Sequence, residues 1–220
     1  MGTTTAKKSK KKQNLDILTF YMEHLLEHGE TPKSIYKFCK LYNLTEAEFY
    51  EQFGSFEALE QHIWVSFHDH TISLLEKQGR EEMTAKEQLL TYYFTLFEML
   101  TANRSYCLMV LDFNQKLPKN LYQLNGLRKK MKSFSKTLIK EGNDEKSTKF
   151  IKHPESIFSE AIWVQFLFLL RFWIKDNSKG FEKTDIAIEK SVQTAFEVFE
   201  TKPLESLIDF GKFLWNEYKS

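Results

Sequence analysis

Along the first quarter of the chain, apolar residues recur with the spacing of a helix. Leu15, Leu18, Met22 and Leu25 fall at i, i+3, i+7 and i+10, which is one stripe of a surface helix. Gly29 suits the left-handed residue that closes such a helix, so the first element should end near His28. Thr31 followed by Pro32 predicts an N-cap with proline in the first turn. The short second helix that follows would turn Ile35, Phe38 and Cys39 inward, and Asn43 can take the positive φ that ends it. Thr45 with Glu48 three residues later is a capping box, opening a third short helix that carries Phe49 and Phe53. Ser55 then caps a long fourth helix with Leu59, Ile63, Phe67 and Leu74 inward.

The pattern stays helical to the end. Thr84 and Glu87 form a second capping box, and further helices are expected over 105–115, 120–140, 155–175, 184–200 and 203–218. The polar stretch 141–154 reads as a loop. Three short helices, a tight turn between the second and third, and then a long helix make a helix-turn-helix arrangement. The fold class is therefore all-α. A basic tail over 1–12 precedes a helix-turn-helix domain over 13–60 and a larger helical domain over 61–220.

Composition narrows the picture. The 8 Gly and 4 Pro are too few for a fold of many strands and tight turns, whereas 20 Phe furnish a large aromatic core. The glycines are scattered singly, so no phosphate-cradling loop is present, and no nucleophile elbow or motif-placed carboxylate pair suggests an enzyme. No cofactor is expected. Cys39 and Cys107 are far apart and outside any paired motif, which fits two reduced thiols. No apolar segment follows the basic start as in a secretory leader, and the chain is expected in the cytoplasm. The most apolar run, 161–174, is 14 residues and includes Gln165 and Arg171. A span needs about 20 apolar residues, so this run is read as a buried or interface helix, not a membrane helix. His24 and His28 share one helix face beside Glu27, and His62, His68 and His70 lie on the fourth helix. Neither group offers the ligand set of a zinc site, and the first pair is read as surface histidines at a helix C-terminus.

The stretch 29–59 resembles the DNA-binding domain of the tetracycline-repressor (TetR) family. Gly29 closes helix one, Ser34 opens helix two, and Phe38 and Cys39 are its apolar pair. Leu44 and Thr45 start helix three, which ends in Phe49, Tyr50 and Phe53. Ser55, Glu57, Ala58 and Leu59 open helix four. The resemblance implies a homodimer paired through the last long helices, here 157–174 and 186–199. It also implies duplex DNA as partner, with Lys33, Ser34, Lys37, Thr45, Glu46, Ala47, Tyr50 and Gln52 as the contacting residues. A small hydrophobic effector is implied within the helical body, near Tyr93, Phe97, Met109, Trp163, Phe166 and Leu170, with Tyr92 and Trp173 beside them.

Charge complicates the DNA reading. The chain as a whole carries +1, and five lysines cluster between Lys7 and Lys12. Between residues 13 and 60, three lysines face nine acidic residues, a net of −6. Recognition helices lie between two rows of phosphates and are usually lined with basic and neutral polar groups. Here helix three offers Glu46, Ala47, Glu48, Glu51 and Gln52, and Phe56 stands where the family commonly has a phosphate-binding Lys. Two readings follow: a DNA-binding regulator, or a TetR-like protein whose degenerate helix-turn-helix serves as a protein-interaction module.

Overall fold

The structure, a computed structural model, describes residues 17–111, 121–144 and 155–200, and among them there is no strand. The elements in order are α1 (17–28), α2 (Ile35–Leu41), α3 (Glu46–Gln52), α4 (Phe56–Lys77), α5 (Ala85–Ala102) and α6 (Arg104–Val110). After them come α7, described over 121–123, then α8 (Asn125–Asp144), α9 (Glu155–Lys175) and α10 (Glu182–Glu200). The expected helix over 203–218 and the basic tail over 1–12 lie outside the described residues.

The chain divides into two compact units. Residues up to Phe67, with Met99–Leu127, form the first; His68–Glu98, with the chain from Arg128 on, form the second. Helix α4 runs without a break through residue 60, where the sequence suggested a domain boundary.

In the first unit, α1 buries Ile17, Leu18, Tyr21 and Leu25, α2 buries Phe38, and α4 buries Leu59 and Ile63, with the Tyr21 ring edge-on to Phe38. Four rings knit the head together. Phe56 lies 5.3 Å from Tyr21, 5.6 Å from Phe38 and 5.6 Å from Phe49, centroid to centroid. Such pairs each add about 0.5–1.5 kcal/mol beyond the area they bury. Gly29, at φ 72, donates its N–H to the Leu25 carbonyl at 2.8 Å and ends α1 where expected.

Several local expectations are corrected. The cap of α2 is Ser34, whose hydroxyl accepts from Lys37 N–H at 3.2 Å. Thr31 does not take that role because α2 starts only at Ile35, which puts Thr31 too far from the first free N–H groups to cap them. The inward stripe of α4 continues from Phe67 through Thr71 and Leu75, both fully buried, and not through Leu74. A polar Thr in the i+4 series hid that register. His24 is 7% exposed and packs edge-on against Phe38, so it is not a surface residue. Helix α6 begins at Arg104, and α8 continues to Asp144, past the expected loop start at 141.

In the second unit, α8 buries Met131, Phe134, Ser135, Leu138 and Ile139, an i, i+3, i+4, i+7, i+8 stripe. Helix α9 buries Phe158, Ile162, Trp163, Phe166, Leu169, Leu170 and Trp173. Over its full 21 residues α9 is long and apolar enough to cross a membrane, because apolar residues before Ala161 extend the 14-residue run. Those seven buried side chains account for much of that apolarity within the fold.

Candidate nucleic-acid interface

Helices α2 and α3 are held at a fixed angle by the turn between them. Leu44 donates its N–H to the Cys39 carbonyl at 2.8 Å, and Asn43 adopts φ 55. The capping box then fixes the start of α3. Glu48 N–H donates to the Thr45 hydroxyl at 3.1 Å, and the Glu48 carboxylate accepts from Thr45 N–H at 2.7 Å and from the Thr45 hydroxyl at 2.8 Å. Phe49, fully buried, pins the opposite face of α3 among Phe38, Phe53 and Phe56.

That anchoring decides what α3 presents. Glu46, Ala47, Tyr50 and Glu51 are exposed, Tyr50 by 54%, and Gln52 is half-buried. On α2 and just before it, Lys33 and Lys37 are exposed, as is Tyr36 by 58%, while Ser34 is half-buried and occupied as a cap. Thr45 is likewise exposed but committed to the capping box. Seven of the eight residues named from the sequence thus lie on α2, α3 or the cap before each, and Lys33 directly precedes the Ser34 cap. Tyr36 escaped the sequence reading; its place two residues past the Ser34 cap was the available signal.

Electrostatics on this surface are acidic. Glu48 spends its charge on the positive end of α3, where a carboxylate is favourable. Glu46, in the same first turn, shares that placement, whereas Glu51 near the C-terminal end of α3 does not. The field of the pair Glu46 and Glu48 reaches the interior, since Cys39 is raised above the ordinary thiol range by burial and then by these two carboxylates. Phe56 is explained by packing: its ring belongs to the aromatic nest, so the position cannot serve as a phosphate contact.

One feature behind this surface had no sequence signature. Tyr21 on α1 and Glu60 on α4 are joined by a buried hydrogen bond across 39 residues of chain.

The residues named for an effector are placed as follows. Tyr93 donates to the Ile162 carbonyl at 3.0 Å and to Gln165 Oε1 at 3.3 Å. Phe97 packs on Phe166 and Trp173, each at 6.2 Å, and Trp163 on Phe166 at 5.4 Å. Leu170 is fully buried among them, whereas Met109 lies on α6 in the first unit and is 40% exposed. Tyr92 accepts or donates a 2.8 Å bond with His68 Nδ1, which engages the most buried of the α4 histidines. Among the described residues no three His, Cys, Asp or Glu side chains gather as a metal site, and both cysteines are free and buried.

Comparison with known proteins agrees with this architecture. Residues 88–214 match the family described as tetracyclin repressor-like, C-terminal domain. The crystal structure of a protein assigned to the TetR-family transcriptional regulators, from Syntrophomonas wolfei str. Goettingen, is similar with a TM-score of 0.67 at 18% identity. The match covers 84% of this chain and 95% of that one. No curated protein matches the chain in sequence.

Proposed function

Because the chain belongs to the TetR family, we propose that it is a cytoplasmic, homodimeric transcriptional regulator that engages duplex DNA through α2, the following turn and α3. The observation that carries this reading is the exposed edge made by Lys33, Lys37 and Tyr50 around a rigidly capped α3. Two cations and a phenol at the rim suit phosphate contacts, which position a helix without reading sequence. Glu46, Ala47 and Gln52 would then face base edges, where a Glu can accept from a cytosine amino group.

Pairing of two chains is supported by apolar side chains left in solvent on the last helices. Val164 is 62% exposed and Phe168 58% on α9, one turn apart, and Ile186 is 49% exposed on α10. Light scattering should give twice the 26.2 kDa of one chain, and Val164→Glu should return the single mass. A hydrophobic effector in the body would have to part Tyr93, Phe97, Trp163, Phe166 and Leu170, all 5% exposed or less, by selecting a minor open state.

The exposed Glu46 and Glu51 favour a second reading, a protein-interaction module without DNA binding. Fluorescence anisotropy with labelled genomic fragments separates the two. DNA binding predicts that log K falls with log salt by roughly 0.9 per neutralised phosphate, and that Lys33→Ala with Lys37→Ala flattens the slope. Fragments that stay unbound even at low salt would leave only the interaction module.

A further inference from the structure

The contact between α1 and the C-terminal end of α2 is built from rings. On α1, Phe20 stacks on Tyr42, the residue that closes α2, with centroids 4.8 Å apart and planes inclined by 13°. One turn further along α1, His24 meets Phe38 and Tyr42 edge-on, at 6.3 and 6.2 Å. Another turn on, His28 lies against His24 with ring centroids 4.2 Å apart. His28 is exposed, whereas His24 is buried and its Nδ1 has no hydrogen-bond partner among the described residues.

Such a pair resists a charge on its inner ring. His28 keeps its contact with water and can be charged without desolvation. A charge on His24 would form beside Phe38 and Tyr42, with Nδ1 bonded to nothing and a second imidazolium one turn away. Burial first, and then His28, hold the His24 ring below its ordinary value, and Glu27 and Glu30 lift it only in part. From α2 it faces the Tyr42 phenol, which burial and then Glu27 and Glu23 hold above the ordinary range. That phenol is neutral and cannot balance an imidazolium. Once α1 leaves α2, His24 meets water and titrates near its ordinary value of about 6.5. Below that value the open head binds one proton more than the closed head. The His24 contribution to the closed state is therefore full above about pH 6.5 and is lost as the pH falls toward the depressed value.

We propose that His24 and His28 form a proton-operated latch on the helix-turn-helix head: neutral, His24 fastens α1 to α2, and in mild acid its protonation releases α1. Histidines packed at an interface are suited to this, because they change charge within the physiological range. Helices α2 and α3 share the turn closed by the Leu44 N–H and the Cys39 carbonyl, so they lose their support on α1 together. Acid then weakens whatever the head binds, DNA or protein alike. The latch lies in the first unit and is separate from His68, which belongs to the second.

Amide hydrogen exchange of the full chain tests it, read by mass spectrometry on peptides from α1 and α2 and corrected for the intrinsic exchange rate at each pH. The opening constant of these helices should be flat above pH 7 and rise roughly fivefold from pH 6.5 to 5.5, one proton allowing at most about tenfold per pH unit. His24→Phe keeps a ring against Phe38 and Tyr42 and should abolish the rise. His28→Gln removes the neighbouring charge, so His24 should take up its proton more readily while still packed, and the rise should shrink. That second variant, at an exposed position, keeps the test open should the first fail to fold. Histidine proton NMR should show the His24 ring titrating below its ordinary value in the parent and moving up in His28→Gln. The proposal is overturned if the opening constant does not change between pH 7.5 and 5.5, if either variant keeps the full rise of the parent, or if the His24 ring titrates at or above its ordinary value.

Discussion

The Tyr21 hydroxyl donates to Glu60 Oε1 at 2.7 Å, in a place where Tyr21 is fully buried and Glu60 is 8% exposed. Burial, and then the Glu60 charge, push the Tyr21 phenol far above its ordinary range, so it remains a donor at any working pH. The Tyr106 hydroxyl is also within reach of this charge, and it is buried with no hydrogen-bond partner among the described residues. Tyr21→Phe leaves the carboxylate with its best donor gone, which should cost about 1–3 kcal/mol. Glu60→Gln in the Tyr21→Phe background should cost less than in the parent, because the charge no longer has a bond to lose. Urea unfolding of the four proteins checks both statements, and additive losses would contradict them.

Restoring a lysine at position 56 should not restore a phosphate contact. The Phe56 ring is central to the nest formed with Tyr21, Phe38 and Phe49, so Phe56→Lys removes three ring contacts and brings an ammonium toward an apolar interior. Because Phe56 is half-buried, we expect a stability loss of about 1–3 kcal/mol, below that of a full core truncation. Anisotropy with the same DNA fragments should show no gain in affinity per folded molecule.

The His68 ring sets a pH window. Burial holds it down to about 4, with a partial lift from Asp69 and a further depression from Lys130. The unfolded chain takes up this proton near the ordinary value of about 6.5, so between the two values it binds more protons than the folded chain. The contribution is fully present above that ordinary value and is lost as pH falls toward about 4, to the extent of roughly 3 kcal/mol. His68→Phe should be less stable near neutrality, since Tyr92 loses its partner, but its stability should change less across this window. Parallel slopes for parent and variant would rule the assignment out.

Gly126 marks a close approach inside the first unit. A Cβ there would stand 2.7 Å from Val65 Cγ2 and 3.5 Å from the Gln61 carbonyl oxygen. Gly126→Ala should therefore destabilise by about 1–3 kcal/mol despite alanine's better helix propensity. Val65→Ala in the same chain should recover most of that loss, which thermal melts of the single and double variants would read.

Much of this fold was legible before any coordinates. The positive φ of Asn43 and Gly29, both capping boxes and the Ser55 cap follow from residues within four positions of one another. Local chemistry of that range is written in the sequence, because the partners cannot avoid meeting once the helix forms. The same holds for the stripe Phe38, Cys39, Phe49 and for the exposed Lys33, Lys37 and Tyr50 that follow from it.

What only the tertiary structure decided lies at longer range. Phe56 was turned into the nest and His24 was covered by Phe38, each through a partner on another helix. The end of α9 and the start of α10 are tied together by Asp176 through Ser178 and Thr184, eight residues along the chain. Periodicity specifies which side of a helix seeks cover. The partner that supplies it depends on how helices dozens of residues apart come to pack, and that is settled by shape and by the satisfaction of buried polar groups.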